Sequence, residues 1–175
     1  MISTERLADV FVDVADTLVD EFDLIDFLHS LADHAVAVSG ASSAGLLLAD
    51  HDDSLHYMAA SSANARYLEE LQLQYAEGPC LDCYRTREPL ITTDLSQETR
   101  RWPEFAPRAI EAGVHSVHAF PLRLRDWVIG AMNLFGDEPL PLGPADIKVL
   151  QAMADVATIA ILQERAIASA ELLTE

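Results

Sequence analysis

Residues 127–135 (WVIGAMNLF) constrain the fold most, because this short segment follows a polar turn and is apolar at almost every position. Successive side chains of a β-strand point to opposite faces of the sheet. Both alternating sets are apolar here, which is typical of a strand covered on both faces. The segment therefore predicts a sheet with helices packed on each side.

Hydrophobic periodicity predicts the other elements. Repeats of three and four predict helices, and short apolar or alternating runs predict strands joined as antiparallel hairpins. The segments are helices at 4–20 and 24–39, strands at 43–49 and 55–61, helices at 62–77 and from Pro79, a strand at 90–93, a helix at 102–112, strands at 114–122 and 127–135, and a long helix at 146–175. This order predicts an α+β fold with an antiparallel sheet.

The helices at both ends of the chain carry two apolar stripes each. One partner covers one stripe, so the second stripe needs another partner, and a second copy of the chain is the simplest one. We therefore predict a homodimer through the terminal helices. Its expected interface residues are Val10, Val14, Leu18, Ile161, Leu162 and Ile167.

Charge limits the possible partners. The chain has 29 acidic and 11 basic residues, a formal net charge of −18, and such a field repels nucleic-acid backbones and anionic membranes. Arginines gather in the middle third, where they serve local salt bridges or an anionic ligand or partner. No apolar run is long enough to cross a membrane, and no basic leader follows Met1. We predict a soluble cytoplasmic protein.

The only two cysteines, Cys80 and Cys83, form a Cys-x-x-Cys pair. A helix beginning at Pro79 puts Cys80 near its amino terminus, where the helix dipole favours a thiolate, so a redox couple is one reading. Glu77 and Asp82 oppose thiolate formation. The other reading is that both are small side chains facing the core or a pocket.

Zinc is an alternative, because His115-x-x-His118 supplies two further ligands of the right type. Residues three apart in a strand point to opposite faces, so the two histidines do not reach one metal and we predict no metal site. His118 is expected to be a pocket or core histidine. Nothing resembles a nucleophile elbow, a phosphate-binding glycine loop or a zinc-protease helix, so we predict no enzyme.

Several blocks in the right order resemble GAF domains, and most closely the amino-terminal GAF half of bacterial GAF–ANTAR regulators. The likeness covers nearly the whole chain. The blocks are Leu7-Ala8, Asp16-Thr17-Leu18-Val19, EGPCLDCYRT at 77–86, Trp102-Pro103 with Phe105, VHAFPLRLR at 117–125, VIGAMNLF at 128–135, ADVATI at 154–159 and QERA at 163–166.

The resemblance implies a PAS/GAF-type fold with a six-stranded antiparallel sheet and a sensing or dimerising role. In such regulators a carboxy-terminal ANTAR domain binds RNA hairpins and prevents transcription termination. We expect residues 1–40 to be dimerisation helices, 41–142 the sheet and pocket, and 143–175 a signalling helix leading towards an ANTAR domain that is not in this chain. RNA binding would belong to that domain.

The resemblance also implies a ligand pocket on the sheet face opposite the terminal helices. Its expected lining is Tyr75, Gly78, Cys80, Cys83, Trp102, Phe105, Ser116, His118, Met132 and Asn133. Alternatively, Trp102 and Phe105 plug the space and the domain only dimerises. Some proteins of this fold reduce free methionine sulfoxide with dispersed cysteines, which the tight pair here does not match. No residue set selects one ligand or cofactor.

Overall fold

A computed structural model describes residues 2–19 and 23–174 of the 175-residue chain. The helices and strands lie in the predicted order. They are α1 Thr4–Val19, α2 Leu24–Ser39, β1 Ser43–Ala49, β2 Leu55–Ala60, α3 Ala63–Tyr75, α4 Pro79–Thr86, β3 Leu90–Thr92, a short 3₁₀ helix Leu95–Glu98, α5 Phe105–Glu111, β4 Ser116–Leu124, β5 Trp127–Gly136 and α6 Pro144–Thr174.

Side-chain chemistry at the helix ends explains where these helices begin and stop. The Asp23 side chain accepts the backbone N–H of Asp26 at the start of α2, and Ser62 accepts that of Ala65 at the start of α3. Gly40 ends α2 in the left-handed conformation, with φ 80°. Pro79 occupies the first turn of α4, where its missing N–H is not needed.

The strands form one antiparallel sheet in the order β2-β1-β5-β4-β3. The described residues provide the five strands that the periodicity predicts, so the six strands implied by the resemblance are wrong. After β3 the Asp94 side chain accepts the backbone N–H of Ser96 and starts the 3₁₀ helix. The chain therefore leaves the sheet after only three residues and α5 follows.

Helices cover both faces of the sheet. We call α1, α2 and α6 the terminal layer, and α3, α4 and α5 the roof layer. On β5, Met132 and Leu134 pack in the terminal-layer core, whereas Ala131 and Phe135 pack in the roof-layer core. The prediction that this strand is covered on both sides is confirmed. None of the described helices is both long and apolar enough to cross a membrane.

Several residues predicted for the dimer interface lie inside the terminal layer of a single chain. Val10, Val14 and Ile161 are buried within a single protomer, and Leu162 packs against the same core. Their apolar stripes therefore pack within one protomer, in the core of this layer. The predicted Leu18 and Ile167 side chains lie outside the described ones. The exposed large apolar residues of this layer are Val12, Ile25 and Ile159.

Gly130 marks the closest approach of two central strands. It pairs with Leu48 of β1, and a Cβ added to Gly130 would lie 2.1 Å from the carbonyl oxygen of Leu47. Backbone atoms on a doubly covered strand have little freedom to move. Glycine is therefore required at this position for the β1–β5 pairing.

We expect Gly130→Ala to lower the free energy of unfolding by about 3 kcal/mol, because the added methyl group pushes β1 from β5. Urea denaturation followed by circular dichroism measures the change. Gly143→Ala is the control, since its nearest non-neighbour atom is an Asp146 carboxylate oxygen at 3.9 Å. Equal stability of the two variants would contradict this account of Gly130.

Candidate functional site

The residues predicted for the pocket divide between the two faces of the sheet. Cys80, Cys83, Trp102 and Phe105 are buried in the roof-layer core. Tyr75 is partly buried beside them, and Gly78 is the residue that precedes α4. The roof therefore brings these six predicted residues to one region. The burial of Trp102 and Phe105 favours the reading in which they fill the space as core.

Three predicted pocket residues lie on the opposite face. The Ser116 hydroxyl donates to the Glu138 carbonyl (2.8 Å), and His118 Nε2 lies 2.7 Å from the Leu140 carbonyl. Met132 packs in the terminal-layer core. The alternation along β4 explains the difference, because Val117 faces the roof and its neighbours must face away.

A polar cluster lies inside the roof layer, and we call Glu69, Gln72 and Asn133 the buried carboxyl network. All three side chains are fully buried. Glu69 Oε1 accepts hydrogen bonds from Gln72 Nε2 (2.8 Å) and from Asn133 Nδ2 (2.5 Å). Gln72 Oε1 in turn accepts the backbone N–H of Cys80 (2.8 Å). The network thus connects α3, strand β5 and the start of α4.

Two glycines make room for this network. A Cβ on Gly45 would lie 2.7 Å from Glu69 Cγ, and a Cβ on Gly78 would lie 2.5 Å from Gln72 Cγ. Gly78 also has φ 131°, a conformation that other residues rarely adopt. The backbone around the network is therefore shaped to hold a carboxyl and a carboxamide group.

Burial determines the protonation of the network. Desolvation raises the pKa of Glu69 from 4.5 to about 8, against hydrogen bonds from Asn133 and Gln72 that lower it. Glu69 Oε2 and Asn133 Oδ1 are buried without a hydrogen-bond partner among the described residues. At neutral pH the carboxyl is therefore mostly protonated and carries one O–H donor.

The cysteines are in an environment that suppresses thiolate formation. Desolvation raises the pKa of Cys80 well above its usual value, and the pKa of Cys83 to about 12. Both thiols are free and buried. The position of Cys80 near a helix start does not compensate for this burial. The geometry supports the reading in which the pair are small core side chains.

The carboxylates beside the cysteines hold the roof in place. Glu77 Oε1 accepts the backbone N–H groups of Glu104 (2.8 Å) and Phe105 (3.1 Å). Asp82 Oδ2 accepts the Trp102 indole N–H at 2.9 Å and also pairs with an arginine. The EGPCLDC stretch and the Trp102–Phe105 loop are therefore fastened to each other by charge-assisted hydrogen bonds.

The proposed zinc ligands do not come together. His115 is exposed and precedes β4, His118 faces the terminal layer, and the cysteines face the roof. Within residues 2–19 and 23–174, no three or more His, Cys, Asp and Glu side chains are placed to hold a metal ion.

Sequence reasoning missed Glu69 and Gln72. A usable signal was present, because both lie on the apolar stripe of α3 that includes Ala65 and Leu68. Polar residues on a buried stripe indicate a partner in the core. That partner, Asn133, lies 64 residues away in the chain. Which residue meets Glu69 therefore depends on the fold.

Comparison with known proteins identifies the family. Residues 23–162 match the family described as GAF domain. The chain belongs to the GAF domain family. This is a regulatory sensor fold found in signalling proteins. No curated protein matches the chain.

Solved structures share the fold at low identity. The GAF domain of an Acinetobacter phosphoenolpyruvate-protein phosphotransferase is 18% identical, with 95% of this chain and 98% of that chain covered and a TM-score of 0.73. A domain of a putative two-component sensor histidine kinase from Sinorhizobium meliloti is 15% identical, with 86% and 99% covered and a TM-score of 0.71.

An enzyme is also among the similar structures. Free methionine-R-sulfoxide reductase from Neisseria meningitidis, solved with its substrate, is 14% identical, with 95% of this chain and 96% of that chain covered and a TM-score of 0.71. Likeness at this level shows the GAF fold and leaves the activity to be argued from the residues.

We expect the Glu69→Gln variant to flatten the pH dependence of stability. The pKa of Glu69 is about 8 in the folded protein, whereas its ordinary value is 4.5. The raised pKa therefore contributes its full stabilisation below pH 4.5, and this contribution is lost as the pH rises towards 8. This contributes a slope of up to about 1.4 kcal/mol per pH unit. Glutamine stays neutral and removes that slope.

Urea denaturation at pH 5, 6.5 and 8 measures this slope. Glu70→Gln is the matched control, because Glu70 is the next residue of α3, is exposed and pairs with Arg66. The control is expected to keep the wild-type slope. A Glu69→Gln variant with the wild-type slope would show that the carboxyl is ionised when buried.

Proposed function

We propose that this GAF domain is the regulatory, dimerising half of a cytoplasmic signalling protein of the transcription antitermination type. An RNA-binding ANTAR domain would be its output. The proposal rests on the GAF family match and on the sequence blocks shared with GAF–ANTAR regulators. The net charge of −18 supports the proposal that RNA contact belongs to another domain, because a negative surface repels phosphates.

The burial of both cysteines is the observation that favours a regulator over a reductase. Reduction of a sulfoxide by cysteine needs an accessible thiolate. Cys80 and Cys83 are fully buried, and burial raises the pKa of both thiols. The roof over them is fastened by Glu77 and Asp82. The pair therefore serves packing, and catalysis would require the roof to open.

Exposed apolar side chains on the terminal layer support dimerisation. Val12 of α1 is 61% exposed and Ile159 of α6 is 49% exposed, although both helices bury other apolar residues in the same layer. Exposed apolar side chains on helices that already have a core are available to a second packing partner. A second copy of the chain would place the two terminal layers face to face.

Strand β5 provides a route between the roof and the terminal layer. Asn133 joins the buried carboxyl network on one side, while Met132 and Leu134 pack against the terminal layer on the other. A close-packed strand shared by two layers transmits a shift of either one. A change in the roof would therefore alter the packing of α1, α2 and α6, and through them the dimer.

We expect wild-type protein to sediment as a dimer and Val12→Glu with Ile159→Glu to sediment as a folded monomer. Two buried charges per protomer would cost the interface several kcal/mol. Sedimentation equilibrium gives the mass, and circular dichroism verifies folding. Tyr67→Glu is the control, because Tyr67 is an exposed apolar side chain of comparable exposure, 46%, on the roof helix α3. A monomeric wild-type chain would refute dimerisation.

We expect Ellman's reagent to label Cys80 and Cys83 at least about 100-fold more slowly in native protein than in urea, because labelling requires local opening. The same preparation should show no turnover of free methionine-R-sulfoxide with a dithiol reductant. Turnover that disappears in the Cys80→Ser variant would establish a reductase instead. Fast native labelling without turnover would favour a thiol switch.

A further inference from the structure

We propose that a cleft at one end of the sheet binds a small organic anion with a planar body. The cleft has a volume of about 660 Å³, and its functional groups come from Asp53, Tyr84, Arg85, Arg87, Asp126 and Trp127. We call it the end cleft. The volume is in the range of small-molecule sites. None of the residues predicted for the pocket lines it, so the end cleft is distinct from the pocket that the sequence predicted.

Four separate parts of the chain converge on the end cleft. They are the β1–β2 turn, the end of α3, helix α4 with the residue after it, and the β4–β5 turn. A smaller chamber of about 260 Å³ shares Asp53, Tyr84 and Trp127 with it. The two chambers therefore adjoin each other at the end of the sheet.

Backbone strain is concentrated at this end of the molecule. Among the described residues, the non-glycine positions with positive φ are Asp53 (62°), Ala76 (52°), Arg87 (65°) and Arg125 (57°). The first three line the end cleft, and Arg125 precedes its lining residue Asp126. Each such residue costs about 1 kcal/mol or more. Ala76 and Arg87 adopt this conformation as the left-handed C-caps of α3 and α4, which places both helix ends at the cleft.

Two arginines of the end cleft form no ion pair. In the part of the chain that the structure describes, neither Arg85 nor Arg87 has a carboxylate within ion-pair distance, whereas Arg66, Arg101 and Arg108 do. Two arginines of one cleft that form no ion pair can bind a carboxylate or phosphate by charge-assisted hydrogen bonds.

The acidic residues limit the size of that anion. Asp53 accepts a hydrogen bond from the Tyr84 hydroxyl (2.7 Å), and Asp126 is a second carboxylate of the lining. With the net charge of −18 around them, these groups repel a polyanion. A compact, singly or doubly charged group fits the two arginines without meeting the wider negative field.

The exposed indole of Trp127 is the reason for proposing a ligand with a planar body. Trp127 is 59% exposed, and no described residue accepts its indole N–H. An exposed tryptophan next to arginines offers a stacking surface and a hydrogen-bond donor to the same ligand. An aromatic carboxylate or an aromatic phosphate monoester combines both features.

The smaller chamber is lined both by residues of the end cleft and by a residue of the last helix. Arg165 of α6 lines it together with Trp127. A ligand spanning both chambers would touch α6 directly, without a change in the roof. This coupling rests on the proposed regulatory function, whereas binding itself does not.

Nuclear magnetic resonance of ¹⁵N-labelled protein tests the site, because the chain has two indole N–H groups, those of Trp102 and Trp127. Trp127→Phe assigns the signals. Titration with benzoate and with phenyl phosphate should shift the Trp127 signal and leave that of buried Trp102 in place. Benzamide, the neutral analogue of benzoate, should bind at least about tenfold more weakly, since it lacks the charge.

The variant with Arg85→Gln and Arg87→Gln should raise the dissociation constant at least about tenfold, as expected from losing charge-assisted hydrogen bonds. Arg100→Gln, an exposed arginine outside the lining, is the control and should bind like wild type. No shift with either anion, equal binding of benzamide, or unchanged binding by the double variant would overturn the site.

Sedimentation with saturating probe separates the site from the proposed function. A change in dimer affinity that is lost in Arg165→Gln, while the probe still shifts the Trp127 signal, supports coupling through α6. Probe binding with no effect on sedimentation retains the site and rejects its coupling to dimerisation. Loss of the dimer by itself leaves the indole titration unaffected.

Discussion

Strand β5 is buried on both faces, and the two helical layers depend on it. It pairs with β1 and β4, and Gly130 allows the close approach of β1. Alternate side chains serve two different cores, so neither layer can be repacked without affecting the other. This shared strand makes the packing of the roof layer and that of the terminal layer depend on each other.

The buried carboxyl network is the polar counterpart of this arrangement. A buried carboxyl is costly unless it is hydrogen-bonded, and here Gln72 and Asn133 donate to Glu69 while Gly45 and Gly78 leave room for the group. The network also fixes the backbone of Cys80. The cysteine pair therefore belongs to a close-packed interior in which neither thiol is exposed.

Charge is distributed unevenly over the protein. Some arginines of the roof are paired with carboxylates, as in Arg101 with Asp82 and Arg108 with Glu104. Arg85 and Arg87 form no ion pair among the described residues, and they line one cleft with exposed Trp127 and several backbone positions of positive φ. These features occur together at the end of the sheet. The turns and loops at this end can vary without disturbing the core.

The sequence determined the order and type of the elements, their capping residues and the need for helices on both faces of the sheet, because periodicity and caps are local properties. Only the tertiary structure decided the order of the strands in the sheet, that Ser116 and His118 face the terminal layer, and that Val10, Val14 and Ile161 are buried within one protomer. It also decided that Glu69 meets Asn133 and that Arg85, Arg87 and Trp127 line one cleft. Alternation along a strand shows which residues share a face, but the choice between the two faces depends on contacts between residues far apart in the chain.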